Sequence, residues 1–256
     1  MKQQKKNKKL KIGIDINEIL RARWLQFDKF YVEEFGEDGV PEKEPYVYDF
    51  FKGYKWEDKV EEIKYLKEDL PDDINPLDYQ IDEKTGEAPV DHLAFKKEKE
   101  KLTAKETYNR FMYEDYVFEI HGSAPIMYKQ MDLHVEKFYL KYSEHVDFIL
   151  KSKENWFSVP PTLFFLSKIF SRFKKYHFVL NNKEMWDDID ILITTDPDII
   201  NNDIPEGKKL IKLERPYNKN GKTGEIDDKI LQINDLNGNK KFEKIINYKL
   251  KKEKDE

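Results

Sequence analysis

Cysteine is absent from all 256 residues. That excludes disulfides, thiolate metal centres and a cysteine nucleophile, and it accords with a reducing compartment without requiring one. Glycine is sparse, at 10 residues, and neither a Gly-rich phosphate loop nor a Gly-x-Ser-x-Gly elbow occurs. Long apolar runs are also missing: none approaches the ~20 residues a membrane span needs, so no membrane partner is expected. The lysine-rich start from Met1 to Lys9 runs into a short strand with an aspartate inside it, which is not the apolar core of a signal peptide. Nor does one sign of charge dominate. Lys+Arg 46 against Asp+Glu 51 leaves a net charge of -5, which gives no general electrostatic reason to bind nucleic acid.

What is present is a chain that is 38% charged, 39% hydrophobic and 14% aromatic. This is enough apolar material for a core at this length, with aromatics in excess for so polar a sequence. Those aromatics serve either core filling or large contacts with partners.

Residues 10 to 16 read as a buried strand, and Leu20, Trp24, Phe27, Tyr31 and Phe35 follow at helical spacing up to Gly36. From Gly36 to Pro89 the pattern gives way to Pro- and acid-rich segments, with a small hairpin expected around Asp82 to Glu87. Thr103-Ala104-Lys105-Glu106 has capping-box spacing and predicts a helix running to His121. A second helix is predicted from Pro125 to Tyr142 by the apolar face of Met127, Met131, Val135, Phe138 and Tyr142. Beyond it, strands at 145–150, 176–180, 190–193 and 209–213 alternate with helical segments at 160–170 and 184–189. The expected fold class is α/β, a Rossmann-like parallel sheet flanked by helices with a mainly helical cap-like insertion. The expected divisions are a basic tail at 1–9, a core at 10–35 and 143–220, the insertion at 36–142, and a C-terminal extension and charged tail at 221–256.

The stretch Ile12-Gly13-Ile14-Asp15-Ile16-Asn17-Glu18 carries the strongest chemical signal. Alternation along a strand puts Asp15 and Asn17 on one face at the carboxyl end, where parallel sheets hold their ligands. Ser152, and Thr194-Thr195-Asp196 with Lys183 shortly before, lie at the ends of other expected strands. Glu18 is assigned no catalytic role. The histidines, His92, His121, His134, His145 and His177, show no metal-ligand spacing and read as surface or core residues. Asp227-Asp228 and the stretch Asn234 to Asn239 read as turns.

On these residues the chain resembles the haloacid-dehalogenase-like superfamily, in particular its 5'-deoxyribonucleotidase-like branch, over about 10–35 and 143–218. The resemblance implies that Asp15 is the nucleophile, actual or vestigial, and that Asn17 stands where the family has its general acid. An amide cannot carry that proton, so a general-acid contribution of ~10²- to 10⁴-fold is expected to be lost. It further implies that Ser152 and Lys183 hold phosphate, although a strand-end serine is also an ordinary turn or cap residue and Lys183 equally an ordinary surface lysine. Thr194-Thr195 stand in place of the family's acidic pair, with Asp196 one position late. If the site is active, Asp15 and Asp196 would bind Mg²⁺; otherwise no cofactor is expected.

Two readings follow. The first is a catalytically degenerate scaffold acting as a structural or assembly protein, with other protein subunits or its own copies as partners. The runs Phe111 to Ile120 and Pro161 to Lys168 resemble haloacid-dehalogenase-like proteins of crAss-like tailed bacteriophages. That resemblance implies a virion component of the tail or portal region, in the particle or the host bacterial cytoplasm. The second reading is a Mg²⁺-dependent phosphohydrolase of the 5'-nucleotidase type.

Overall fold

The computed structural model describes residues 9–41, 48–66, 95–169, 172–219 and 230–233. The chain divides into two compact units, residues 1–55 with 111–256, and residues 56–110. The expected hairpin tip at 82–87, the Asp227-Asp228 turn, the turn at 234–239 and His92 lie outside the described residues.

In the first unit, β1 (Leu10–Asp15) leads to α1 (Arg23–Phe35), which stops at Gly36 with φ of 82°. The Gly36 N–H bonds back to Val32 O at 3.0 Å, closing the last turn, and the positive φ, which glycine adopts without steric cost, turns the chain out of the helix. The short α2 (Phe50–Gly53) is capped by the Asp49 carboxylate, which accepts from the Phe51 and Lys52 amides. Phe27 on α1 stacks on Phe50 at 4.3 Å and meets Phe111 edge-on at 5.3 Å. Much of the aromatic surplus is therefore core.

The second unit contains β2 (Lys59–Leu66) paired antiparallel with β3 (Phe95–Leu102), followed by α3 (Ala104–Arg110). The predicted capping box is formed: the Thr103 N–H donates to Glu106 Oε2 at 2.8 Å and the Glu106 N–H to the Thr103 hydroxyl at 3.4 Å. Within the expected insertion at 36–142, one stretch forms a compact unit of its own. That unit is 56–110, and among the described residues it combines the two-stranded ribbon with one helix. The helix predicted to run to His121 ends at Arg110, and two π-helical turns, Phe111–Asp115 and Phe118–Gly122, continue it in the first unit.

The remaining elements of the first unit are α4 (Met131–Tyr142), β4 (Val146–Lys153), α5 (Val159–Ile169), β5 (Tyr176–Val179), β6 (Ile191–Thr194), α6 (Pro197–Asn201), β7 (Lys209–Leu213) and β8 (Ile230–Ile233). Helix α4 begins later than the sequence pattern suggests, after Gln130 in left-handed backbone. Six strands form one parallel sheet in the order β5-β4-β1-β6-β7-β8. The expected α/β class is therefore the observed one, and β8 extends the core beyond the expected limit of 220.

Alternation along the strands feeds two apolar layers. Ile12, Ile14, Phe148, Leu150, Ile191 and Ile193 pack on one face with Val135 and Phe138 of α4 and Phe165 of α5. Ile149, Leu192 and Leu210 pack on the other with Met185, Trp186, Ile189 and Ile200. Gly13 lies on this second face, where a β-carbon would come within 2.9 Å of Ile189 Cδ1. Among the described residues, no helix is long and apolar enough to cross a membrane.

Candidate functional site

β1 sits between β4 and β6, so the strand order reverses around it and the carboxyl ends of three strands meet at one point. The register carries Asp15 opposite Lys151 of β4, and pairs Ile14 with Ile193, one residue before Thr194. Side chains in register share a face. The Thr194 hydroxyl accordingly donates to Asp15 Oδ2 at 2.8 Å.

Asn17 lies beyond the end of β1 and turns away from Asp15. Its main-chain N–H donates to Asp15 Oδ1 at 3.2 Å, while its side chain reaches to Ser152, the Asn17 Nδ2 donating to the serine hydroxyl at 2.8 Å. The expectation that Asp15 and Asn17 share a strand face is therefore corrected: a turn closed on the Asp15 carboxylate intervenes. Glu18 follows with φ of 58° and pairs with Arg23 at 3.3 Å. This holds the chain in a conformation unfavourable for a non-glycine residue.

The Asn17 side-chain oxygen is also engaged. Arg21 donates to it twice, from Nε at 2.9 Å and Nη2 at 2.6 Å. The same guanidinium donates to Thr162 Oγ1 at 2.6 Å, to the His121 carbonyl at 2.8 Å and to Glu154 Oε1. Glu154 in turn accepts from the Ser152 hydroxyl at 2.7 Å and the Ser158 hydroxyl at 2.5 Å. Ser152 is therefore a link in a buried network as well as a strand-end serine. Burial alone would raise the Glu154 carboxyl, but the Arg21 charge and the His121 ring hold it well below the usual carboxylate range. Burial pushes His121 down to about 4, so the ring is neutral at pH 7. Sequence reasoning missed Arg21, Glu154 and the buried place of His121 in this network. The available signal was a charged residue inside the apolar stretch Ile19-Leu20-Arg21-Ala22.

On the other side of Asp15, the ammonium of Lys153 lies 2.5 Å from Asp196 Oδ2 and donates to Asn182 Oδ1 at 2.7 Å. Lys153 was also missed, being one of 46 basic residues. Lys183, the expected phosphate-binding lysine, is exposed, and among the described residues its ammonium has no hydrogen-bond or ion-pair partner. Asp196 Oδ1 accepts from the Asp198 N–H at 2.8 Å, capping α6. Burial, reinforced by the Asp196 charge, raises the Asp15 carboxyl to about 7, although the Thr194 hydroxyl bond and the Lys153 charge oppose the rise.

The structure thus brings together Asp15, Asn17, Ser152 and Asp196 of the expected set, all buried, and leaves Lys183 apart. The Mg²⁺ that the resemblance implies needs oxygen ligands with free lone pairs in near-octahedral array. Here each Asp15 oxygen already accepts one hydrogen bond, the Thr195 hydroxyl donates to the Asn17 carbonyl at 3.5 Å, and Asp196, the second carboxylate, is paired with the Lys153 ammonium. Among the described residues no three Asp, Glu or His side chains converge as a metal-binding group. This donor set does not fit the ion.

No family model matches the sequence, and no curated protein matches it. Among solved structures, a haloacid dehalogenase-like family hydrolase from Xanthomonas campestris is similar to it at 11% identity, with a TM-score of 0.45 over 95% of this chain and 98% of that one.

Proposed function

We propose that this chain is a haloacid-dehalogenase-like domain that does not hydrolyse phosphate esters and works instead by binding other protein subunits, as a structural or assembly protein. The observation that carries this reading is the state of Asn17. It cannot donate a catalytic proton, and its amide is fixed at both ends, by Ser152 on one side and Arg21 on the other. A general acid must be free to reach the leaving group. This residue braces the end of β1.

The surface adds support. Trp156 and Phe157 are 75% and 63% exposed, and Leu163 and Phe164 follow them along α5, with Phe118 against Phe164 at 4.9 Å between rings. Apolar side chains exposed on this turn and on the helix that follows it suit a subunit contact better than a water-facing surface. Particle-bound copies in a bacteriophage tail or portal region would use such a contact, in keeping with the sequence resemblance.

The phosphohydrolase reading keeps one observation in its favour: Asp15, Ser152 and Asp196 do meet at the carboxyl end of the sheet. Purified protein assayed with Mg²⁺ on a panel of phosphate esters tests the choice. No turnover above an Asp15→Asn control is expected. Turnover that disappears in Asp15→Asn would overturn the scaffold reading.

A further inference from the structure

We propose that the Lys153 ammonium is the resident cation of this site, paired with Asp196 next to Asp15, so that the strand ends are held together without metal. Lys153 is the last residue of β4, two positions beyond the partner of Asp15 and therefore on the same face of the sheet. Its side chain is only 26% exposed and its ammonium is fixed between Asp196 Oδ2 at 2.5 Å and Asn182 Oδ1 at 2.7 Å. Its positive charge also acts on Asp15.

The surrounding groups match an ammonium and not a metal. A divalent ion is held by carboxylates and carbonyls that present bare lone pairs, and it repels the hydrogen of a donor. Around Asp15 each oxygen already accepts one hydrogen, from Thr194 on Oδ2 and the Asn17 N–H on Oδ1, and the nearby cation is the Lys153 ammonium paired with Asp196. Thr194 and Thr195 are neutral hydroxyls, so the point where the strands meet carries two carboxylates, Asp15 and Asp196, rather than a larger acidic set. One ammonium balances most of that charge, whereas a divalent ion beside Lys153 would leave an excess of positive charge in a buried setting. The Thr194 hydroxyl and the Lys153 ammonium thus supply polar surroundings to Asp15 and Asp196.

The inference does not rest on the absence of turnover, and its test reads metal binding and stability instead. Wild-type protein is titrated with Mn²⁺ followed by electron paramagnetic resonance, and its Tm is compared in EDTA and in millimolar Mn²⁺ or Mg²⁺. No bound Mn²⁺ and a Tm shift under about 1 °C are expected, because only a ligand that binds the folded state raises Tm by mass action. Lys153→Met keeps the apolar stem and removes the charge. It is expected to lower Tm equally in EDTA and in millimolar Mn²⁺, and Lys153→Met with Asp196→Asn is expected to be less destabilised than the two single effects added. Stoichiometric Mn²⁺ binding to wild type that is lost in Asp196→Asn would overturn the proposal, as would additivity of the two substitutions. Should Lys153→Met fail to fold, the wild-type titration decides alone: absence of binding upholds the proposal and Asp196-dependent binding sinks it. Phosphatase activity without Mn²⁺ binding would contradict the proposed function and leave this inference standing.

Discussion

Arg21 and Glu154 form an ion pair in which neither side chain is exposed to solvent. Such a pair is costly to desolvate, and it persists here because the guanidinium also serves Asn17, Thr162 and the His121 carbonyl while the carboxylate takes two serine hydroxyls. Removing one partner strands the other. Arg21→Met is expected to cost ~3–5 kcal/mol in urea unfolding. Arg21→Met combined with Glu154→Gln is expected to cost less than the sum of the single losses, because the stranded charge is gone. Additive losses would show that the two side chains act independently.

Asn17→Asp restores the residue type that general-acid chemistry needs, yet it is expected to yield no hydrolysis of p-nitrophenyl phosphate. The new carboxylate would be captured by Arg21, which already donates twice to that position, and would face Glu154 through Ser152. Losing the amide donor to Ser152 and adding a like charge should lower stability by ~1–3 kcal/mol. A gain of turnover would mean that Arg21 releases the side chain.

The Asp15 carboxyl, raised by burial to about 7 from 3.8, sets a pH dependence with a definite sign. The folded state holds this proton more tightly than the unfolded chain. Its contribution is therefore complete below pH ~4, declines as pH rises, and is gone above pH ~7, a change on the order of 4 kcal/mol. Glu154, held below its ordinary value, works in the opposite direction and loses its contribution as pH falls below ~4.5. Comparing wild type with Asp15→Asn by chemical unfolding between pH 5 and 8 isolates the first effect. The wild-type curve should fall across that window and the variant curve should be flatter; equal slopes would show that Asp15 is already ionised at the acid end.

Trp156 and Phe157 lie on a solvated turn, so Trp156→Ser with Phe157→Ser should change unfolding free energy by no more than ~0.5 kcal/mol. If this apolar surface is a subunit contact, the same double variant should run as a smaller species than wild type in size-exclusion chromatography. A large loss of stability without change in assembly would make the surface part of the fold.

The parallel sheet was legible because its central strands are buried on both sides and read as short apolar runs between polar breaks, as in Leu10 to Asp15 and Ile191 to Thr194. β8 was not legible, since Ile230-Leu231-Gln232-Ile233 is only four residues long within a polar extension and needs the edge of β7 to define it. The π-helical turns after Arg110 escaped because Tyr108, Phe111 and Tyr116 suit α-helical spacing locally. In the folded chain Phe111 is buried among the rings of Phe27, Phe35 and Tyr116, and that packing overrides local preference. At the site, Asp15, Asn17, Ser152 and Asp196 could be read from strand ends. The partners that give them meaning, Arg21, Glu154 and Lys153, are charged residues in a chain crowded with charge, and only three-dimensional convergence distinguishes them.

The place of β1 in the sheet also bears on how the chain reaches its native state. β1 is flanked by β4 and β6, and Asn17, two residues past its end, meets its partner Ser152 at a separation of 135 residues. During synthesis this apolar strand therefore waits, without hydrogen-bonding neighbours, until most of the protein has been made. Parallel pairing over such separations is slow, because loop closure must precede any reward. The half-made chain is thus open to aggregation, and expression at low temperature or with chaperones should raise the soluble yield.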